Sequence, residues 1–180
     1  MHATICDIIA DLVQNSVEAA ASLVDLDVQT EPDMLKIRVT DNGKGMDEAT
    51  LVKSLDPFYS EAGKHDHRRV GLGLPLLFQT VEAAGGKADI RSQPGKGTMI
   101  EFTFDTRNID MPPFGELPDT ALLLMASSGG HELILRRATP NDAYTVRRSD
   151  LIAALGDLET SGNLVLARQY MRSQEQNLIQ

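Results

Sequence analysis

Only one cysteine, Cys6, occurs in 180 residues. No internal disulfide can form, which fits a reducing compartment, and the apolar stretch around Cys6 marks it as a small buried hydrophobe rather than a catalytic thiol. Long apolar runs are also missing: none approaches the ~20 residues needed to span a bilayer. The amino terminus, Met1-His2-Ala3-Thr4, has no basic region followed by an apolar signal core, so the expected compartment is the cytoplasm, without membrane contact. Positive charge is scarce, with 17 Lys and Arg against 26 Asp and Glu and a net charge of −9. That balance disfavours a broad nucleic-acid surface, because phosphate binding needs clustered basic residues, and any polyanion must be met locally. Hydrophobic residues are plentiful at 42%, enough for one packed domain or for a domain with an appendage. No internal repeat or low-complexity tract interrupts the chain.

From Thr4 to about Ala21, Ile5, Ile8, Ile9, Leu12, Val13, Ser16, Val17 and Ala20 recur at helical spacing, while Asp7, Asp11, Asn15 and Glu18 share another stripe. After the Pro32-Asp33 turn, Leu35, Ile37 and Val39 alternate with Lys36, Arg38 and Thr40 as in a half-buried strand. A short helix is expected from Asp47 to Leu55, then a polar loop with Gly63, Lys64, His65, His67, Arg68 and Arg69. A second amphipathic helix runs from Leu74 to Ala84, with Pro75 in its first turn and Gly85-Gly86 as its stop. Strands at 88–92 and 98–104 flank Pro94-Gly95-Lys96-Gly97. Three prolines and a glycine between Ile109 and Pro118 mark a linker, so the expected division is 1–108, a linker at 109–118, and a small α+β unit at 119–180. In that last unit the pattern gives strands at 121–126, 131–138 and 143–148, a short helix capped by Ser149, and a final helix from Thr160 or Ser161.

Four features in fixed order bear on chemistry. Asp11 and Asn15, four apart on the first helix, lie on one face and can converge on a cation with its water shell; Mg²⁺ prefers such hard oxygen ligands. The same pair also fits an ordinary solvated helix face. Asp41-Asn42-Gly43-Lys44-Gly45-Met46 follows a strand, where a carboxylate can accept a bond from an exocyclic amine and glycines permit close approach of a flat base. Gly71-Leu72-Gly73-Leu74 precedes a helix whose backbone N–H groups and dipole can hold phosphate. Gly95-Lys96-Gly97-Thr98 precedes a strand, and a plain hairpin turn explains it equally well.

Taken in order, these features closely resemble the GHKL superfamily of ATPases. The N box matches Asp11 to Ala19, and the three glycine boxes match Asp41 to Met46, Gly71 to Leu74 and Gly95 to Thr98. The resemblance implies an α/β fold, a two-layer α/β sandwich of the Bergerat type that holds ATP and Mg²⁺ between helices and a mixed sheet, here with a small carboxyl-terminal extension. It further implies that Asn15 ligands the metal, that Asp41 reads the adenine amino group, that Gly43, Gly45, Met46 and Thr98 line the base, and that Gly71, Leu72, Gly73 and Leu74 embrace the phosphates.

Asp56-Pro57-Phe58-Tyr59-Ser60 resembles the F box of histidine kinases, and the basic loop that follows would bring Lys64, Arg68 and Arg69 to the γ-phosphate. The family's usual N-box acid is glutamate. Asp11, the candidate general base, is one methylene shorter, so binding is expected to survive while turnover is slow. None of His2, His65, His67 and His131 is read as a phosphoacceptor, and no dimerisation helix pair is read in the chain. The chain also begins almost on its N box, so the sheet edge normally covered by a preceding strand needs another cover, expected from the strands after Ala121 of this chain or of a partner. The function expected is an ATP-binding regulatory protein whose nucleotide-ordered lid is read by an unidentified partner protein, with a homodimer through the carboxyl-terminal unit as a further expectation. The alternatives are a free-standing serine kinase of the anti-sigma-factor type and a slow ATPase clamp.

Overall fold

The computed structural model describes residues 4–56, 73–127 and 130–178. Six strands form one mixed sheet in the order β3-β4-β2-β1-β5-β6. They are β1 (Leu23–Glu31), β2 (Met34–Asp41), β3 (Lys87–Gln93), β4 (Gly97–Asp105), β5 (Glu132–Ala138) and β6 (Ala143–Arg147). Every neighbouring pair is antiparallel except β1 and β5, which run parallel with Val24 opposite Leu133.

Helix α1 (Ile5–Glu18) opens with a capping box: the Thr4 hydroxyl accepts from the Asp7 N–H, and the Asp7 carboxylate accepts from the Thr4 N–H. Two reciprocal bonds thus satisfy donors that a helix start leaves open. The 3.6-residue spacing then buries Ile5, Ile8, Ile9, Leu12 and Val13 against the sheet; each such side chain contributes about 1.5–3 kcal/mol of burial. The strands answer with period two. Val24, Leu26 and Val28 of β1, Leu35, Ile37 and Val39 of β2, Ile100, Phe102 and Phe104 of β4, and Leu133 and Leu135 of β5 face the helices. On the opposite face, Arg38 and Lys36 pair with Glu101, and Arg136 pairs with Asp25. Helices α2 (Glu48–Ser54) and α3 (Gly73–Ala83) complete the first half.

Strand β1 has no counterpart in the sequence reading, although Val24, Leu26 and Val28 alternate with Asp25, Asp27 and Gln29. Two aspartates in a strand lower its propensity, and among the described residues Asp25 is compensated by Arg136 alone, 111 residues away. Residues 121–126 are also corrected: they belong to helix α4 (Leu117–Ala126), not to a strand. A short apolar run is ambiguous between the two. Pro118 in the first turn and the burial of Ala121, Leu122 and Met125, with Leu123 exposed, decide for helix. The two expected strands after it are present as β5 and β6, and β5 covers the outer edge of β1 within the same chain. Helices α5 (Arg148–Leu155) and α6 (Ser161–Leu178) follow, the latter burying Ala167 and Met171 and packed on α4, where Arg172 pairs with Asp119.

The segment 109–118 lies along the start of α1. The carbonyls of Pro113 and Phe114 accept from the N–H groups of Ile5 and Cys6. Further along, buried Arg137 donates to Glu175, which also accepts from the Tyr144 hydroxyl at 2.6 Å, tying β5 and β6 to α6.

Candidate functional site

Asp41 ends β2, and the alternation of that strand turns its carboxylate towards the helical layer, where it is nine-tenths buried. Oδ1 accepts from the backbone N–H of Gly43 at 2.8 Å and of Thr98 at 3.3 Å, while Oδ2 accepts from the Ser16 hydroxyl at 2.9 Å. A carboxylate has about four acceptor positions, so these three donors leave about one. No cation pairs with Asp41 among the described residues.

The loop after Asp41 is knitted to the β3–β4 turn. The Lys44 carbonyl accepts from the Gly95 N–H at 2.7 Å, and the Ser92 hydroxyl accepts from the Met46 N–H at 2.8 Å and lies 2.9 Å from the Thr98 hydroxyl. Gly45 and Gly97 carry φ of +63° and +93°. A Cβ on Gly45 would run into the Gln93 carbonyl and one on Gly97 into the Asp41 carbonyl, so only glycine lets the two segments meet.

These segments and α1 enclose a cleft of about 300 Å³, lined by Leu12, Asn15, Ser16, Glu18, Ala19, Asp41, Lys44, Gly45, Met46, Ser54, Gly73, Leu74, Thr98 and Ile100. Of the residues expected at a binding site, Asn15, Asp41, Gly45, Met46, Gly73, Leu74 and Thr98 come together around this cleft. Gly43 lies behind the wall, its N–H turned to Asp41, and a Cβ added to it would stand 2.8 Å from the Ala19 carbonyl oxygen. Asp11 sits on α1 one turn before Asn15, half-buried and away from the cleft lining. Lys64, Arg68, Arg69, Gly71 and Leu72 lie outside the described residues, as do His65 and His67.

The chemistry of the wall suits a flat heteroaromatic base with an exocyclic amine. Leu12, Met46, Leu74 and Ile100 supply apolar surface, and Asp41 supplies an acceptor at its base. Asn15 reaches the cleft beside Gly73, whose added Cβ would stand 3.5 Å from the Asn15 amide nitrogen. Among the described residues no three His, Cys, Asp or Glu side chains converge on a metal position. An ion there would rest on the Asn15 amide oxygen, on water and on oxygens of a bound ligand.

Sequence reasoning missed Ser16 and Ser92. Ser16 follows Asn15 on the buried side of α1, a signal that its hydroxyl needs a partner; Ser92 carried no sequence signal beyond its place before the turn. His131, which is not read as a phosphoacceptor, precedes a glutamate, Glu132. It is the fold that removes it as an acceptor: the ring is 1% exposed beside β5, and neither nitrogen has a hydrogen-bond partner among the described residues. Burial, and next the Arg148 guanidinium, hold its pKa below the ordinary 6.5.

Comparison with known proteins places this geometry in context. A family model described as histidine kinase-, DNA gyrase B-, and HSP90-like ATPase matches residues 2–108. Over 103 residues the chain is 31% identical to the sensor histidine kinase YxdK of Bacillus subtilis, covering 55% of this chain and 32% of that protein. Over 99 residues it is 34% identical to the sensor histidine kinase WalK of the same organism, covering 54% of this chain and 16% of that one. The chain thus spans less than a third of the length of these relatives. A crystal structure of the amino-terminal domain of a DNA repair protein superposes with a TM-score of 0.56 at 13% identity, over 89% of this chain and 58% of that one, which is a likeness of fold. No described helix is long and apolar enough to cross a membrane.

Proposed function

Since the chain belongs to the histidine kinase-, DNA gyrase B-, and HSP90-like ATPase family, we propose that it is an ATP-binding regulatory module whose nucleotide-bound state is read by a partner protein. The observation that carries this reading is Asp41, a buried carboxylate held by Ser16, Gly43 and Thr98 with an acceptor position left towards an apolar cleft. In this reading the adenine amino group donates to Asp41 and the ring lies between Leu12, Met46, Leu74 and Ile100. The phosphates extend towards the start of α3 at Gly73. The Asn15 amide oxygen would hold Mg²⁺ together with water. Bound Mg-ATP supplies a transferable phosphoryl group whose charge the cation neutralises. Lys64 and Arg69 would meet the γ-phosphate, and nucleotide would favour the closed form of the 56–73 segment, a population shift that a partner can recognise.

Titration calorimetry with Mg-ATP tests the site: Asp41→Asn and Asn15→Asp should each abolish measurable binding while thermal melts show a retained fold. Unchanged affinity in both variants would refute the assignment. A kinase reading is favoured by the sensor kinases matched over the same region, and labelled ATP distinguishes it. Label on an added candidate partner means phosphoryl transfer, released phosphate alone means hydrolysis, and tight binding with neither means a switch.

A further inference from the structure

The sheet ends on two different edges. β3 is guarded by exposed Lys87, Asp89 and Arg91 along its short length, the charge pattern by which natural sheets block edge-to-edge pairing. β6, at the other end, reads Ala143-Tyr144-Thr145-Val146-Arg147 and has no charge until its last residue. Among the described residues nothing pairs with its outer edge, so a row of backbone donors and acceptors faces outward. Beside that edge runs a groove of about 450 Å³ lined by Val146, Leu151, Ala154, Leu155, Leu166 and Tyr170, among others. Leu166 is 53% and Tyr170 46% exposed there, a large apolar surface for positions on an otherwise polar helix face.

The charges bordering β6 indicate its occupant. Exposed Asp142 stands immediately before the strand and exposed Arg147 at its end, and neither is in an ion pair among the described residues. A strand with an acid at one end and a base at the other is complementary to itself when antiparallel. Pairing two copies about a two-fold axis at Thr145 brings Arg147 of each alongside the Asp142–Ala143 end of the other. Both copies keep Tyr144 and Val146 on the helix side, as the alternation of a continuous sheet requires. A net charge of −9 makes two copies repel at long range, so the contact has to be made where the surface is neutral. This edge, where Asp142 and Asp150 stand against Arg147 and Arg148, is such a place.

We infer that the chain forms a two-fold homodimer by antiparallel pairing of β6 with β6 of a second copy, joining two six-stranded sheets and covering Leu166 and Tyr170. An interface of this kind is isologous, the same patch serving both partners.

Sedimentation of the full chain across the micromolar range, without nucleotide, tests this. The expected species has twice the 19.6 kDa monomer mass. Arg147→Asp and Asp142→Arg should each raise the dissociation constant by about tenfold, since each turns two attractions into repulsions. The doubly exchanged protein should return close to the original value, a restoration that misfolded variants cannot give. Replacing Leu166 and Tyr170 together by glutamate should leave a monomer whose circular dichroism and melting are preserved. A wild-type chain that stays monomeric overturns the proposal, as does a dimer that neither charge reversal weakens.

Discussion

The hydroxyl of Ser16, on the first helix, lies 2.9 Å from Asp41 Oδ2, at the end of the second strand 25 residues later. It gives that carboxylate its side-chain donor, the other two being backbone N–H groups. Ser16→Ala leaves a buried charged oxygen with one fewer partner, a loss of about 1–3 kcal/mol. A lower denaturation midpoint is expected, together with weaker Mg-ATP binding in calorimetry. Ser16→Cys should recover little of either, because a thiol is a weak donor.

Ser92 has a different part. Its hydroxyl joins Met46 on one loop to Gly97 and Thr98 on the next. Ser92→Ala strands the Met46 N–H and frees the Thr98 side chain, so nucleotide affinity should fall by about tenfold, equivalent to about 1.4 kcal/mol, with a smaller change in melting temperature. Ser92→Thr keeps the hydroxyl and should restore most of the affinity. Equal affinities for serine, alanine and threonine would show that the bond only packs the turn.

How far the sequence discloses this site depends on which atoms do the contacting. Asn15, Asp41, Gly45 and Thr98 are legible because their spacing on α1, at the end of β2 and at the β3–β4 turn recurs in a known pattern, and the structure gathers them round one cleft. Ser16 and Ser92 act through hydroxyls facing segments 25 and 46 residues away, relations that no local window contains. The same limit governs the fold. β2, β3 and β4 were readable from alternation and turn residues. β1 was obscured because its regular alternation carries two aspartates of low strand propensity, one of which finds its cation in the distant Arg136, and α4 was mistaken because a run of apolar residues does not state its own period.

Arg137, Glu175 and Tyr144 form a buried set in which the guanidinium donates to Glu175 Oε1 at 3.1 Å and the phenol to Oε2 at 2.6 Å. Glu175→Ala leaves Arg137, 5% exposed, without its counter-ion. A destabilisation of about 3–5 kcal/mol is expected, readable as a fall in the urea midpoint. Tyr144→Phe removes only the shorter bond and should cost about 1 kcal/mol.

His131 gives the chain an acid-sensitive point. Its folded pKa is depressed by burial and by Arg148, with Glu132 opposing, so below the ordinary 6.5 the unfolded chain takes up a proton that the folded one resists. Stability is therefore complete above that value and declines as pH falls. Urea midpoints at pH about 8 and about 5 should differ. His131→Leu should lose part of that difference while keeping midpoint stability at the higher pH.

Parallel pairing of β1 with β5 also sets an order of events during synthesis. Asp25 cannot meet Arg136 until 111 further residues have been made, so on the ribosome the nascent nucleotide-binding half waits with a bare strand edge. Contacts so distant in sequence are slow to form, and an open edge in the meantime invites pairing with the wrong chain. A premature stop before residue 132 would thus release an intact set of nucleotide contacts on a sheet with an open edge, making aggregation rather than loss of the binding residues the first failure of a truncated product.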